Sequence, residues 1–508
     1  MAFLLGIDIG TSGTKTVLFD ENGNTVASSL SEYPLYQPEA GWAEQEPEDW
    51  WNAVCITIKA VLASSGISAG EIKGIGLSGQ MHGAVLLDKE NRILRKAIIW
   101  CDQRSSEECR EITSLVGSKR LIEITANPAL TAFTASKVLW VKNNEPSVFE
   151  KISKILLPKD YIRFKLTGEF ATEVSDASGM QFMDIPSRKW SDEVLGKLGI
   201  EKNWLGQMYE SQEITGQVNK QTAEITGLME GTIVVGGAGD QAAGAVGNGI
   251  VRQGVISSTI GTSGVVFAHS DKITIDPLGR VHTFCHAVPN TWHIMGVTQG
   301  AGLSLKWFRD NFCIEEKRTA DLMKTDPYIL MDQEAAKVEA GSNGLIYLPY
   351  LMGERTPHLD PYARGVFFGL SAIHEKPHFL RSVMEGVVYS LKDCLNIIKE
   401  MGVEISEVRA SGGGGKSQLW RQMQADVFAT DITTINSSEG PALGVALLAG
   451  VGAGLYGSVA QACDATIKVR TTQRPDMALN DIYMKSYGLY GKLYKSLKED
   501  FKEAAGIV

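Results

Sequence analysis

The pentapeptide Ile-Gly-Thr-Ser-Gly occurs twice in the chain, at Ile9–Gly13 and at Ile260–Gly264. An identical pentapeptide about half a chain apart reads as the trace of an internal duplication, each half bringing one loop to a shared cleft. Each copy ends an apolar run, so it sits where a strand turns sharply. The glycines permit a tight backbone with outward N–H groups, and the Thr and Ser hydroxyls add donors, so the turn can wrap a phosphate. Two such turns predict one polyphosphate held from both sides. The preceding residues break the symmetry, with Asp8 in the first copy and Thr259 in the second. A carboxylate beside phosphates repels them unless a cation intervenes, which makes Asp8 a Mg²⁺ partner, acting through water.

A chain of 508 residues exceeds one hydrophobic core. We divide it into an N-terminal domain of residues 1–246 and a C-terminal domain of residues 247–508, joined near the glycines from Gly244 to Gly249. Strand and helix signals alternate throughout. Phe3–Ile9 is a buried strand, Pro47 opens a helix with Trp50, Val54, Ile58 and Val61 on one face, and Lys96–Trp100 reads as a short strand. The pattern is α/β with mixed sheets, since hairpins follow both loops.

Lys and Arg number 49 against 59 Asp and Glu, a net charge of −10. This excludes nonspecific nucleic-acid binding and leaves an anionic ligand dependent on local donors and a metal. Seven scattered cysteines without a Cys-x-x-Cys pair read as reduced thiols of a cytoplasmic protein. The N-terminus has no basic region and meets Asp8 too early for a signal peptide. The uncharged Gly440–Cys463 stretch is dominated by Gly and Ala, and is expected as a packed buried helix rather than a membrane span. A homodimer is compatible with the chain, though no residue specifies one.

A third glycine cluster, Ala410–Ser417, lies between a strand and a helix. It resembles a Walker A loop, but Ala410 stands where the first glycine belongs, and no apolar strand ending in Asp supplies the metal partner. The better reading is a flat surface for a purine or ribose, with the following helix N-terminus aimed at ligand oxygens.

The stretches GIDIGTSGTKTVLFD, SGQMHG, GAGDQAAGAVGNG, STIGTSG, QGAGLSLKWFRD, GLIYLPYLMGERTPH and ASGGGGKSQLWRQMQADVF resemble, in order, the motifs of the FGGY carbohydrate kinases. Residues Gly365–Glu385 fit that family's C-terminal signature. Within the family, Ser78–Gly83 is similar to the xylulokinase branch. The resemblance implies an actin/hexokinase/Hsp70-type fold, with two ribonuclease-H-like domains and a cleft between them. It also implies ATP-dependent phosphorylation of a ketopentose, D-xylulose foremost, with Mg²⁺ and without nucleic-acid or membrane partners. Other ketoses, polyols or sugar acids are the alternative acceptors, and an ATPase switch of the same fold is the non-kinase alternative.

By the same resemblance Thr11, Ser12 and Lys15 contact phosphates from the first domain, and Gly261 and Thr262 from the second. Gly302, Lys306, Gly413 and Ser417 line the nucleotide pocket. Asp240 matches the catalytic base, and Met81, His82, Asp240 and Gln241 match the sugar contacts. Read from local sequence, several of these have a plainer alternative. Asp240 could cap the helix that follows it, and His82 could be a hydrogen-bonded structural histidine. Asp102 could bond sugar hydroxyls or pair with Arg104. Trp42, Trp50 and Trp51 suit the core or the cleft wall better than a stacking platform.

Overall fold

The computed structural model describes residues 2–507. Two seven-stranded mixed sheets organise them. In the first, the strands run in the order Ile214–Gln217, Ile233–Val235, Ile72–Gly79, Phe3–Ile9, Gly13–Asp20 and Thr25–Glu32, and Ala238–Gly239 adds to the end of Ile72–Gly79. In the second the order is His282–Cys285, Trp292–Thr298, Gly264–Ser270, Gly254–Ile260, Ile405–Ser411, Asp431–Ile435 and Val469–Gln473. Each sheet is built on a hairpin whose first strand has a parallel neighbour and whose second has an antiparallel one. The duplication in the sequence is a duplication of topology.

The repeated pentapeptide nonetheless makes two different turns. Ile9 pairs with Thr14 in the first hairpin, and Gly10 N–H bonds Gly13 O at 3.0 Å. Ile260 pairs with Gly264 in the second, one residue tighter, and Gly261 N–H bonds Ser263 O at 3.0 Å. Tertiary neighbours account for the difference. Gln45 Nε2 and Trp100 Nε1 hold Thr11 at 2.7 and 2.9 Å, whereas Gly302 and Leu303 N–H groups hold the Gly261 and Thr262 carbonyls at 2.8 and 3.0 Å.

The Pro47–Ser65 helix buries the four expected apolar residues, and its Trp50 is wholly enclosed. The strand expected at Lys96–Trp100 shrinks to Ala97–Ile98, which pairs with the two-residue Glu44–Gln45 and bridges Ala84 through Ile98. Within the glycine-rich stretch, residues Asp240–Gly247 are helical.

That helix packs along the Gly440–Gly452 helix, which lies in the second half of the sequence but docks on the first sheet. Glycines make this possible. A Cβ added at Gly76 would fall 1.9 Å from Val445 O, and one at Gly444 would fall 1.9 Å from Ala243 O. The Ala- and Gly-rich composition therefore permits backbone-to-backbone contact around a shared core of Leu4, Val17, Phe19, Ala242, Val246 and Leu443. Among the described residues no helix is long and apolar enough to cross a membrane.

Candidate active site

Asp8 is the penultimate residue of its strand. It pairs across the hairpin with Lys15 and across the parallel ladder with Ser78. Its Oδ1 is buried without a hydrogen-bond partner. Burial raises its pKa, against the nearby Ser78 hydroxyl and the Lys15 charge. Asp240 is the first residue of the Asp240–Gly247 helix. Its pKa is pushed up to about 7, first by burial and then by the negative charge of Asp8, while bonds from Gln241 oppose the shift. Two carboxylates that feel each other in a partly buried place form a site for one proton or one cation.

The donor set suits a hard divalent cation. An orphaned carboxylate oxygen beside a second carboxylate matches Mg²⁺, which binds protein through one or two carboxylates and fills its remaining positions with water and phosphate oxygens. Among the described residues no group of three or more His, Cys, Asp and Glu side chains is placed to hold an ion. Any cation here would therefore draw the rest of its ligands from the nucleotide and solvent.

The first loop follows Asp8 directly, and the second turns at the end of a strand of the other sheet. Ser12, Gly261 and Thr262 are exposed, while Thr11 is anchored by Trp100 and Gln45. Lys15 is 40% exposed and its ammonium meets Glu439, the residue before the Gly440–Gly452 helix, at 2.5 Å. Gly302 begins the Gly302–Phe312 helix, and Lys306 is exposed one turn further along. Gly413 is exposed, and its neighbour Gly412 has φ +73° and lies on Ile260 O, so the third glycine cluster abuts the second loop. Ser417 is the N-cap of the Gln418–Phe428 helix, accepting Trp420 N–H at 3.0 Å.

At the same end of the first sheet, after the strand parallel to Phe3–Ile9, Met81 is buried against Gly239. His82 adopts φ +71°, a strained conformation for a histidine. Two donors to its carbonyl fix it: Lys137 Nζ at 2.9 Å and Thr134 Oγ1 at 3.1 Å. His82 Nδ1 lies 2.9 Å from Gly179 O. A carbonyl only accepts, so Nδ1 carries the proton. Burial holds the imidazole pKa well below its ordinary value, so the ring is neutral and Nε2 is left as an acceptor. Gly179 is indispensable to this placement, because a Cβ there would fall 2.3 Å from Nδ1. Gln241 is partly buried beside Asp240.

Asp102 resolves to the second of its two readings. Its side chain is 1% exposed and takes Arg104 Nε and NH2 together with the Ala43 and Arg104 N–H groups. With both oxygens occupied, it has nothing to offer a sugar hydroxyl. Arg104 in turn lies 3.6 Å over the Trp42 ring, so Asp102 and Trp42 build a wall rather than a contact.

Sequence reasoning missed three parts of the site. Trp100, 40% exposed, presents an indole edge at the first loop; a large aromatic ending a strand on the ligand edge was the available signal. Gly179 gave none. The third part is a wholly buried ionic cluster of Lys159, Asp160, Arg163, Glu173 and Asp176. Lys159 Nζ reaches Asp160, Asp176 and Glu173 at 2.8, 3.3 and 3.5 Å, and Arg163 also pairs with Asp160. Glu173 takes the Ser175 hydroxyl at 2.9 Å, and that hydroxyl takes Gly239 N–H at 3.2 Å. The cluster thus ends on the peptide immediately before Asp240.

Comparison with known proteins agrees with this geometry. The models of the N-terminal and C-terminal domains of the FGGY family of carbohydrate kinases match residues 3–247 and 256–453. The chain is 39% identical over 499 residues to the xylulose kinase of Bacillus subtilis (strain 168), covering 98% of each. It is 38% identical over 494 residues to that of Escherichia coli (strain K12), covering 97% of this chain and 99% of the relative. The crystal structure of ligand-bound xylulose kinase from Lactobacillus acidophilus superposes with a TM-score of 0.91 at 28% identity, covering 99% of this chain and 100% of that one.

Proposed function

The chain belongs to the FGGY family of carbohydrate kinases, and on that premise we propose that it transfers the γ-phosphoryl group of ATP to D-xylulose, giving D-xylulose 5-phosphate and ADP. The observation that carries the chemistry is the Asp8–Asp240 pair set beside the first phosphate loop. Asp240 accepts the proton of the sugar hydroxyl as its oxygen attacks the γ-phosphorus, and a base poised near 7 suits that task. Met81 packs on the sugar's carbon chain, and His82 Nε2 accepts from one of its hydroxyls. The two loops and Lys15 bind the phosphates, and Lys306, Gly413 and Ser417 face the rest of the nucleotide. When bound, Mg²⁺ neutralises phosphate charge; Asp8, with Asp240 beside it, would hold it. We place the enzyme in the cytoplasm, a reading supported by seven free thiols among the described residues.

An ADP-release assay across ketoses, polyols and sugar acids tests the assignment. D-xylulose is expected to give the highest kcat/KM; a chain that hydrolyses ATP equally with every sugar, or with none, is instead an ATPase switch.

Two further outcomes follow from the site. His82→Ala is expected to raise the sugar KM by about 10-fold or more, the value of a lost buried hydrogen bond and its packing, while the ATP KM changes little. Equal changes in both constants would show that His82 serves the fold alone. The acid limb of the kcat/KM profile for sugar should fall as pH drops through about 7, because protonated Asp240 cannot take the hydroxyl proton. Raising Mg²⁺ should move that limb to lower pH, since a cation on Asp8 removes the second cause of the raised pKa. A limb fixed below the usual carboxylate range would exclude Asp240 as the base.

A further inference from the structure

The Glu354–Thr356 segment, within the GLIYLPYLMGERTPH stretch, takes no part in the site as built so far. Its backbone is fixed on both sides. Thr356 N–H donates to Val297 O at 3.0 Å, and its hydroxyl accepts Val297 N–H at 3.1 Å and donates to Arg280 O at 2.7 Å. Glu354 accepts the Gln299 and Arg355 N–H groups at 2.8 Å each and the Thr298 hydroxyl at 2.6 Å. The segment is therefore tied to the Trp292–Thr298 strand, whose Met295 pairs with His282, and to the approach to Gly302. It touches the supports of the sugar end and the phosphate end alike.

Arg355, between these two anchors, is the exception. Among the described residues its backbone N–H is bonded, but no side-chain N–H of Arg355 meets an acceptor and no carboxylate lies in ion-pair range. Its nitrogens are not sealed from solvent either, so the guanidinium reaches open space from a half-buried residue. Burial lowers the proton affinity of both His82 and His282, with Lys137 next for His82, and the Arg355 charge adds to each. Those rings bracket Phe133, at 5.0 and 6.0 Å between centroids, and Thr356, next in the chain to Arg355, bonds Arg280 O two residues before His282, which brings the segment to the sugar end. A half-buried guanidinium with no protein acceptor keeps its donors for water or for the oxygens of a ligand.

Resting on the sugar kinase reading above, we propose that Arg355 is the second lobe's contact to the acceptor, donating hydrogen bonds to hydroxyl or carbonyl oxygens of the ketose held by Met81 and His82. The lobe that grips the nucleotide then also reads the sugar, and full engagement of Arg355 requires both lobes to close on it.

The test uses Arg355→Gln and Arg355→Lys in the full-length chain, with each substrate varied at saturating levels of the other. Arg355→Gln is expected to raise the sugar KM roughly 10- to 100-fold, the range for a lost charged hydrogen bond, with the ATP KM within about twofold. Arg355→Lys should raise it less, since it keeps the charge but not the planar fork. An unchanged sugar KM, an equal rise for both substrates, or a fall in kcat alone overturns the proposal; the last would place Arg355 on the phosphoryl group. Thermal unfolding reports whether each variant folds, and the Lys variant carries the same comparison if the Gln variant does not. A wild type that prefers another acceptor overturns only the choice of D-xylulose, and the Arg355 comparison is then run with that acceptor.

Discussion

Asp240→Asn is expected to lower kcat by roughly 10²- to 10⁴-fold, the contribution of a positioned general base, while nucleotide still binds. The amide keeps the size and the helix-terminal position but cannot take a proton. The same substitution should stabilise the protein. A carboxyl whose folded pKa is raised to about 7 stabilises the fold below its unfolded pKa, and that contribution is lost as pH rises through 7. Above that point the charged form, buried beside Asp8, opposes folding. Asn removes the charge, so the melting temperature should rise at pH 8 and change little at pH 5. Near-normal turnover in the variant would remove Asp240 as the base. A melting temperature that falls equally at both pH values would refute the electrostatic account.

Lys159→Met carries the largest expected cost in stability, about 3–5 kcal/mol, the usual result of breaking a buried ion pair by deleting one partner. Burial works against ionisation of Asp160, but Lys159 and Arg163 outweigh it and hold its pKa below the ordinary value. Asp176, by contrast, is raised well above its ordinary value, by burial and against the pull of Lys159. Lys159 is the cation shared by Asp160, Glu173 and Asp176, and losing it leaves Arg163 as the cluster's remaining positive charge. Because the carboxyl groups must then stay charged with Arg163 alone to balance them or take up a proton, the destabilisation should grow from pH 6 to pH 8 in urea unfolding. A pH-independent loss below about 1 kcal/mol would mean that the cluster is not electrostatically coupled. Since the cluster ends on Gly239 N–H, the surviving folded fraction should also show reduced kcat.

The hairpins, the Pro47–Ser65 helix and the glycine-bounded loops were legible because local chemistry dictates them: period, caps and turn residues act within a few positions. Asp8 stood out beside its glycine turn, whereas the local sequence of Asp240 suited a helix cap and only the family resemblance singled it out as a base. What escaped was set by distant neighbours. The two identical pentapeptides turn differently because Trp100 and Gln45 hold one and Gly302 and Leu303 the other. Asp102 carried the same local signal as a sugar ligand, and only the approach of Arg104 and Ala43 decides that its oxygens are spent. Gly179 and the Lys159 cluster lie far from the motifs in sequence, and no periodicity marks a residue whose task is to leave room or to neutralise a neighbour.

The Gly440–Gly452 helix also bears on how the molecule could be taken apart. A fragment ending at residue 247 would leave Leu4, Val17 and Phe19 facing water along an open trough, and the remaining piece would carry a 13-residue apolar rod with nothing to lie in. Coexpressed as separate chains, the two pieces should rescue each other's solubility. The ancient doubling visible in the sequence has been stitched so that neither copy can be returned to independence by scissors alone.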